Sequence, residues 1–147
     1  MIFDLLNEQM AETGIPAKTK KEVIEKLLDI ACRSGKVKDR DLAARDTAAR
    51  EAVASTGMEN GIAIPHAKTD AVDELVACIG ITAKPVGFDA IDKKPCRIFI
   101  MTLSPKRQTG PHIKFLGEIA VLLKDEQRRK RMLGAGSPTE LLEAIRD

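Results

Sequence analysis

The chain has 147 residues, 44% of them hydrophobic and 31% charged, and a formal net charge of +2. A chain of this length suits a single domain over residues 1–147 that buries roughly 70% of its unfolded surface and needs no disulfide or metal to hold it. The small net charge and the absence of Trp and Tyr, with only four Phe, leave neither the basic footprint nor the stacking platforms of a nucleic-acid binder. No signal peptide and no apolar run long enough to cross a bilayer is read, so any link to a membrane is expected to be indirect, through a separate subunit.

Residues 1–17 read as a lead-in, with an apolar segment (Ile2, Phe3, Leu5, Leu6) followed by Thr13-Gly14-Ile15-Pro16. Thr19 as N-cap with Glu22 three residues on forms a capping box, and Val23, Ile24, Leu27, Leu28 and Ala31 fall on one face at helical period. Gly35 is the expected stop. A second, Ala-rich helix runs from Asp39 or Asp41 to about Ala54 and carries Arg45 and Arg50; Gly57 ends that region. Strands are expected at Ile62–Ile64, Leu75–Thr82 and Arg97–Leu103, the latter two as near-continuous apolar runs covered on both faces. A Gly- and Pro-marked segment, Lys84 to Pro95, joins them, and Ser104 to Gly110 is a polar loop. A helix starts near Pro111 and reaches about Lys124, a short charged helix covers about Asp125 to Leu133, and Ser137, Pro138 and Glu140 begin the last helix. Helices first, then strands mixed with helices, predict an α/β fold: a sandwich around a central mixed sheet flanked by helices.

Chemistry concentrates in a few places. Ile62-Ala63-Ile64 ends at Pro65, whose missing N–H stops a ladder, and His66 follows. A neutral imidazole at a strand end is a nucleophile at physiological pH. The second of the chain's two histidines, His112, is expected in the first turn of a helix, where free N–H groups and the positive dipole end favour an anion and disfavour imidazolium. Two histidines without a third ligand at suggestive spacing do not make a zinc site. Cys32, Cys78 and Cys96 are far apart and contain no C-x-x-C pair, so free thiols in a reducing cytoplasm are expected. Arg128-Arg129-Lys130-Arg131 reads as a solvated helix face. No Walker loop or dinucleotide fingerprint is present, so the chain does not look built to hold ATP or NAD, and no cofactor is expected.

The run from Ser55 to Lys68, S-T-G-M-E-N-G-I-A-I-P-H-A-K, resembles the active-site segment of enzyme IIA domains of the bacterial phosphoenolpyruvate-dependent sugar phosphotransferase system, in the fructose/mannitol branch. Arg50-Glu51 ahead of Ser55-Thr56-Gly57, the turn Phe88-Asp89-Ala90-Ile91-Asp92-Lys93-Lys94-Pro95, and Pro111-His112-Ile113-Lys114-Phe115-Leu116 extend the resemblance, in order, over roughly residues 20–147. The resemblance implies that His66 accepts a phosphoryl group and passes it on, and that His112 lies beside it and helps hold that group. It also singles out Arg50 to grip phosphate oxygens, although an arginine on a charged helix is ordinarily just solvated. Asn60 reads either as a site donor or as the turn residue before Gly61, Thr56 as a weaker supporting residue, and Gln108 as weaker still. Glu59 stands where relatives often have Gly, which puts an extra carboxylate near a phosphate site. The implied donor is phospho-HPr or a nitrogen-branch homologue. The implied acceptor is an enzyme IIB domain, with a IIC subunit as the only membrane link and sugar uptake downstream. A convex apolar surface around His66 is expected to receive both partners. Nitrogen-branch relatives offer an alternative: the same histidine chemistry, used to switch binding to partner proteins.

Overall fold

The structure of the protein is a computed structural model that describes residues 2–147. Its centre is a five-stranded mixed sheet. The long strands β4 (Val76–Val86) and β5 (Cys96–Ser104) pair antiparallel in the middle. Strand β1 (Ala11–Ile15) adds parallel to β4 at one edge, and β2 (Ile62–Ala63) and β3 (His66–Lys68) both add parallel to β5 at the other.

Period-two alternation sorts the side chains of these strands between two cores. On one face Ala63, Ala67, Cys78, Phe99 and Met101 pack with Val23, Leu27 and Ala43 of α2 (Lys20–Cys32) and α3 (Arg40–Val53). On the other face Ile62, Ile64, Ile79, Ile98 and Ile100 pack with four helices. These are α1 (Ile2–Leu5), α4 (Gly110–Leu122), α5 (Glu126–Leu133) and α6 (Pro138–Arg146). The expected α/β sandwich with a flanked mixed sheet is therefore the observed fold. Capping follows the sequence: Thr19, Asp39, Asp125 and Ser137 side chains each accept from the first turn of their helix.

Three departures from the sequence reading have physical causes. The lead-in is structured: α1 is followed by a turn of 3₁₀ helix (Glu8–Met10) capped by Asn7, and then by β1. Polar Glu12, Thr13 and Gly14 occupy the middle of β1 and hide its apolar ends, Ala11 and Ile15, from a pattern search. Strand β4 continues past Thr82 through exposed Ala83, Lys84 and Pro85 to buried Val86, an extension that leaves the apolar run. Pro65 interrupts the edge strand without ending it: Thr102 N–H donates to Pro65 O at 3.2 Å, and pairing resumes at His66.

The basic run on α5 also does more than face solvent. Arg128 donates to Leu122 O, and Arg129 to Leu123 O and Lys124 O, so both guanidinium groups cap the C-terminal carbonyls of α4. The three cysteines are free, and burial pushes the Cys78 thiol up to about 12 and the Cys96 thiol up to about 11.

Gly57 locks the segment before β2 onto the turn after β4. A β-carbon there would come within 2.7 Å of Ala90 Cα and 2.8 Å of Phe88 O, both backbone atoms that cannot step aside. Gly57→Ala should cost about 1–3 kcal/mol, read as a lower urea midpoint. An unchanged midpoint would mean that the two segments are free to part.

Candidate functional site

The alternation that builds the sheet also aims His66. Ala63 and Ala67 face α2 and α3, whereas Ile62 and Ile64 face α4. Because the extended backbone continues through Pro65, His66 and Lys68 stay on the α4 side. The edge position leaves the ring half-buried rather than sealed. Its Nδ1 lies 2.8 Å from the Ile64 carbonyl oxygen. A carbonyl only accepts, so Nδ1 carries the proton and the lone pair of the neutral ring sits on Nε2. No hydrogen-bond partner for Nε2 is found among the described residues.

His112 approaches from α4. The ring centroids are 5.5 Å apart at 66°, an edge contact. His112 is 4% exposed, and its Nε2 lies 2.8 Å from Thr102 Oγ1. Thr102 is also the register partner of His66 in the β3–β5 ladder, so one β5 residue places both rings. Burial pushes the His112 pKa down from 6.5 to about 4, and the neighbouring His66 and Lys68 push in the same direction. It is therefore a neutral ring at physiological pH. The Thr109 side chain makes no capping hydrogen bond to the first turn of α4, so the free N–H groups of this helix start, beside the paired rings, remain available to an anion.

The His66 ring opens into a cavity of about 420 Å³ whose lining includes Arg50, Ser55, Met58, Leu116 and Ala120. The surface there is concave, where a convex one was expected, and exposed Met58 and Ile91 stand in its wall. Arg50 reaches it from the last turn of α3, with one guanidinium N–H donating to Ala54 O at 2.8 Å and no partner for the others found among the described residues. Thr56 lines the same cavity, but its hydroxyl donates to Glu51 at 2.6 Å. Asn60 is elsewhere. It holds a positive φ of 64° in the turn before Gly61 and lines an adjoining cavity of about 240 Å³ with Glu59 and Lys124. Gln108 lies in the loop ahead of α4, where its carbonyl accepts from Lys68 Nζ and from Ser104 Oγ.

Two contributors were not singled out from sequence. Thr102 is a hydroxyl in an otherwise apolar buried strand, where a partner is obligatory, and that was the available signal. Lys68 donates to Gln108 O and Thr109 Oγ1, tying β3 to the start of α4. Among the described residues no group of three or more His, Cys, Asp or Glu is placed to hold a metal ion, and no helix is long and apolar enough to cross a membrane.

A half-buried imidazole that lines a cavity, with Nδ1 hydrogen-bonded and Nε2 carrying the lone pair, could act as a nucleophile at that one nitrogen. The neutral second ring and the helix start beside it leave room for an anion. Residues 4–147 match the family model described as "Phosphoenolpyruvate-dependent sugar phosphotransferase system, EIIA 2". A fructose-specific EIIA component of Haloferax volcanii is 40% identical over 122 residues, covering 83% of this chain and 79% of its own. A nitrogen regulatory protein of Pseudomonas aeruginosa is 30% identical over 134 residues, covering 91% and 87%. The crystal structure of the nitrogen regulatory protein IIA-Ntr from Neisseria meningitidis superposes with a TM-score of 0.90 at 26% identity, over 98% of each chain.

Because His112 is held neutral in the fold and titrates near 6.5 once unfolded, the unfolded chain binds the extra proton first. Its contribution to stability is complete above pH 6.5, falls as pH drops toward about 4, and levels off below. The loss should approach about 3 kcal/mol. Urea titrations across that pH window should show this slope in the wild type and a flatter one in His112→Asn. Parallel slopes would contradict a neutral buried ring.

Proposed function

The chain belongs to the EIIA type 2 family of the phosphoenolpyruvate-dependent sugar phosphotransferase system, and from that premise we propose that it is a cytoplasmic phosphocarrier working through His66. The observation that carries this reading is the tautomer: Nδ1–H bound to the Ile64 carbonyl leaves Nε2 as the only nucleophilic nitrogen of a ring that lines the cavity.

The step needs no proton transfer. His66 Nε2 attacks the phosphorus of a phosphohistidine on the donor, phospho-HPr or a nitrogen-branch homologue. One N–P bond forms as the other breaks, and the bonding pair returns to the donor ring. The charge that builds on the His66 ring is stabilised by the Ile64 carbonyl at Nδ1–H. The incoming phosphoryl oxygens meet Arg50 and the free N–H groups at the start of α4. A neutral His112 beside them offers a hydrogen bond without a charge that would hold the group too tightly. The phosphoramidate is labile, so the group passes on to an enzyme IIB domain, and by way of a IIC subunit to sugar uptake. The fold supports that acceptor: the mannitol IIA of Escherichia coli, solved in complex with phosphorylated IIB, superposes with a TM-score of 0.82 at 22% identity.

The kinship with nitrogen regulatory proteins favours a second use of the same chemistry. Phosphorylation adds about two negative charges in the middle of a partly apolar surface carrying exposed Met58 and Ile91. Such a change would switch the binding of a regulated partner on or off.

Incubation with phosphoenolpyruvate, Enzyme I and HPr should add one phosphoryl group to the wild type and none to His66→Ala, read by intact mass. Labelling of His66→Ala would overturn the assignment. In the same assay Arg50→Gln should slow transfer roughly ten- to hundredfold, and an unchanged rate would remove Arg50 from the site. Release of the label to an enzyme IIB domain supports the transport reading. Retention of the label, with partner binding that differs between the two forms, supports the regulatory one.

A further inference from the structure

Glu51 lies one residue beyond Arg50 on α3, and its carboxylate is buried, with 7% of the side chain exposed. A buried charge persists only when it is paired and hydrogen-bonded. Here Oε2 accepts from Thr56 N–H at 2.8 Å, Oε1 accepts from Thr56 Oγ1 at 2.6 Å, and Lys20 Nζ of α2 stands 2.8 Å from Oε2. Burial alone would push this carboxyl up, but the Lys20 ammonium and the Thr56 donors overcome that and hold it below the ordinary carboxylate range.

The contacts continue beyond Thr56. Its carbonyl accepts from Ile64 N–H at 3.1 Å. The Ile64 carbonyl in turn accepts the His66 Nδ1 proton at 2.8 Å. A continuous line therefore runs from the Glu51 carboxylate through Thr56 and Ile64 to the imidazole. Its far end is anchored as well. Lys20 lies 4.7 Å from the Phe88 ring centroid and 3.5 Å from Asp89 Oδ2, and Ser55 Oγ donates to Phe88 O at 2.7 Å. Arg50 leans on the same segment through Ala54 O.

We propose that Glu51 is a positioning residue for phosphoryl transfer. By clamping Thr56 it fixes the Ile64 carbonyl that sets the tautomer and angle of His66, together with the wall on which Arg50 rests. Hydrogen bonds to a carboxylate are about twice as strong as those between neutral groups, which is why a charged group is used to hold a backbone segment from inside. This inference rests on the phosphocarrier reading of His66, so its test has one readout that depends on that reading and one that does not.

The comparison is wild type against Glu51→Gln, Thr56→Val and Thr56→Ser, each checked for folding by its thermal transition. The transfer rate is measured at saturating phospho-HPr, and ¹⁵N-histidine NMR reports the protonation of each His66 ring nitrogen. Glu51→Gln and Thr56→Val should lower the saturating rate roughly tenfold or more with the donor KM little changed, and should move the His66 nitrogens toward mixed tautomers. Thr56→Ser, which keeps both donors, should restore rate and tautomer. Folded variants with wild-type rates and unmoved ring nitrogens would overturn the proposal, even if their melting temperatures fall, because that is the mark of a merely structural ion pair. If wild type accepts no phosphoryl group, the phosphocarrier reading fails, while the ring shifts still decide whether Glu51 holds the imidazole. If Glu51→Gln does not fold, the Thr56→Val and Thr56→Ser pair decides.

Discussion

A neutral imidazole carries one proton, and in this chain the Ile64 carbonyl, 2.8 Å from His66 Nδ1, takes it. Much of the surrounding structure serves that bond. The carbonyl can point at the ring because Pro65 interrupts the edge strand between β2 and β3 without changing the face on which the side chains emerge. The edge position leaves the ring half-buried, and no partner for its other nitrogen is found among the described residues. The β5 strand behind supplies both the backbone that receives Pro65 and the hydroxyl, on Thr102, that fixes the second ring.

The electrostatic design follows from the same arrangement. A carrier of the kind proposed must bind its phosphoryl group well enough to accept it and loosely enough to release it. A charged second histidine would add a full positive charge beside the phosphate. Burial of His112 prevents this and leaves a neutral hydrogen-bonding ring. Positive character comes instead from Arg50, which lines the cavity, and from the start of α4. Lys68 serves indirectly, since its ammonium group ties β3 to the loop ahead of α4.

Much of this was legible in the sequence, because the information is local. The Thr19 and Ser137 caps, the apolar β4 and β5 runs and the I-A-I-P-H segment each depend on neighbours a few residues away. The parts that escaped depend on partners distant in the chain. Strand β1 has polar residues at its centre and is a strand only because β4 offers it an edge. Arg128 and Arg129 look solvated until the end of α4 lies over them. Thr56 reads as a weak supporting residue of the site until Glu51, five residues back, claims its hydroxyl. Asn60, whose two readings were turn and site, holds the positive φ of the turn and lines the neighbouring cavity beside Glu59.

The chain is similar to both fructose-specific and nitrogen-regulatory proteins, so the proposed chemistry at His66 comes before any question of the partner it would serve. Its most direct test is the identity of the nitrogen that bears phosphorus. In protein carrying ¹⁵N-labelled histidine, phosphorylated and observed by ³¹P–¹⁵N NMR, the account predicts a one-bond coupling from phosphorus to His66 Nε2, with Nδ1 still protonated. Coupling to Nδ1, or to either nitrogen of His112, would contradict it.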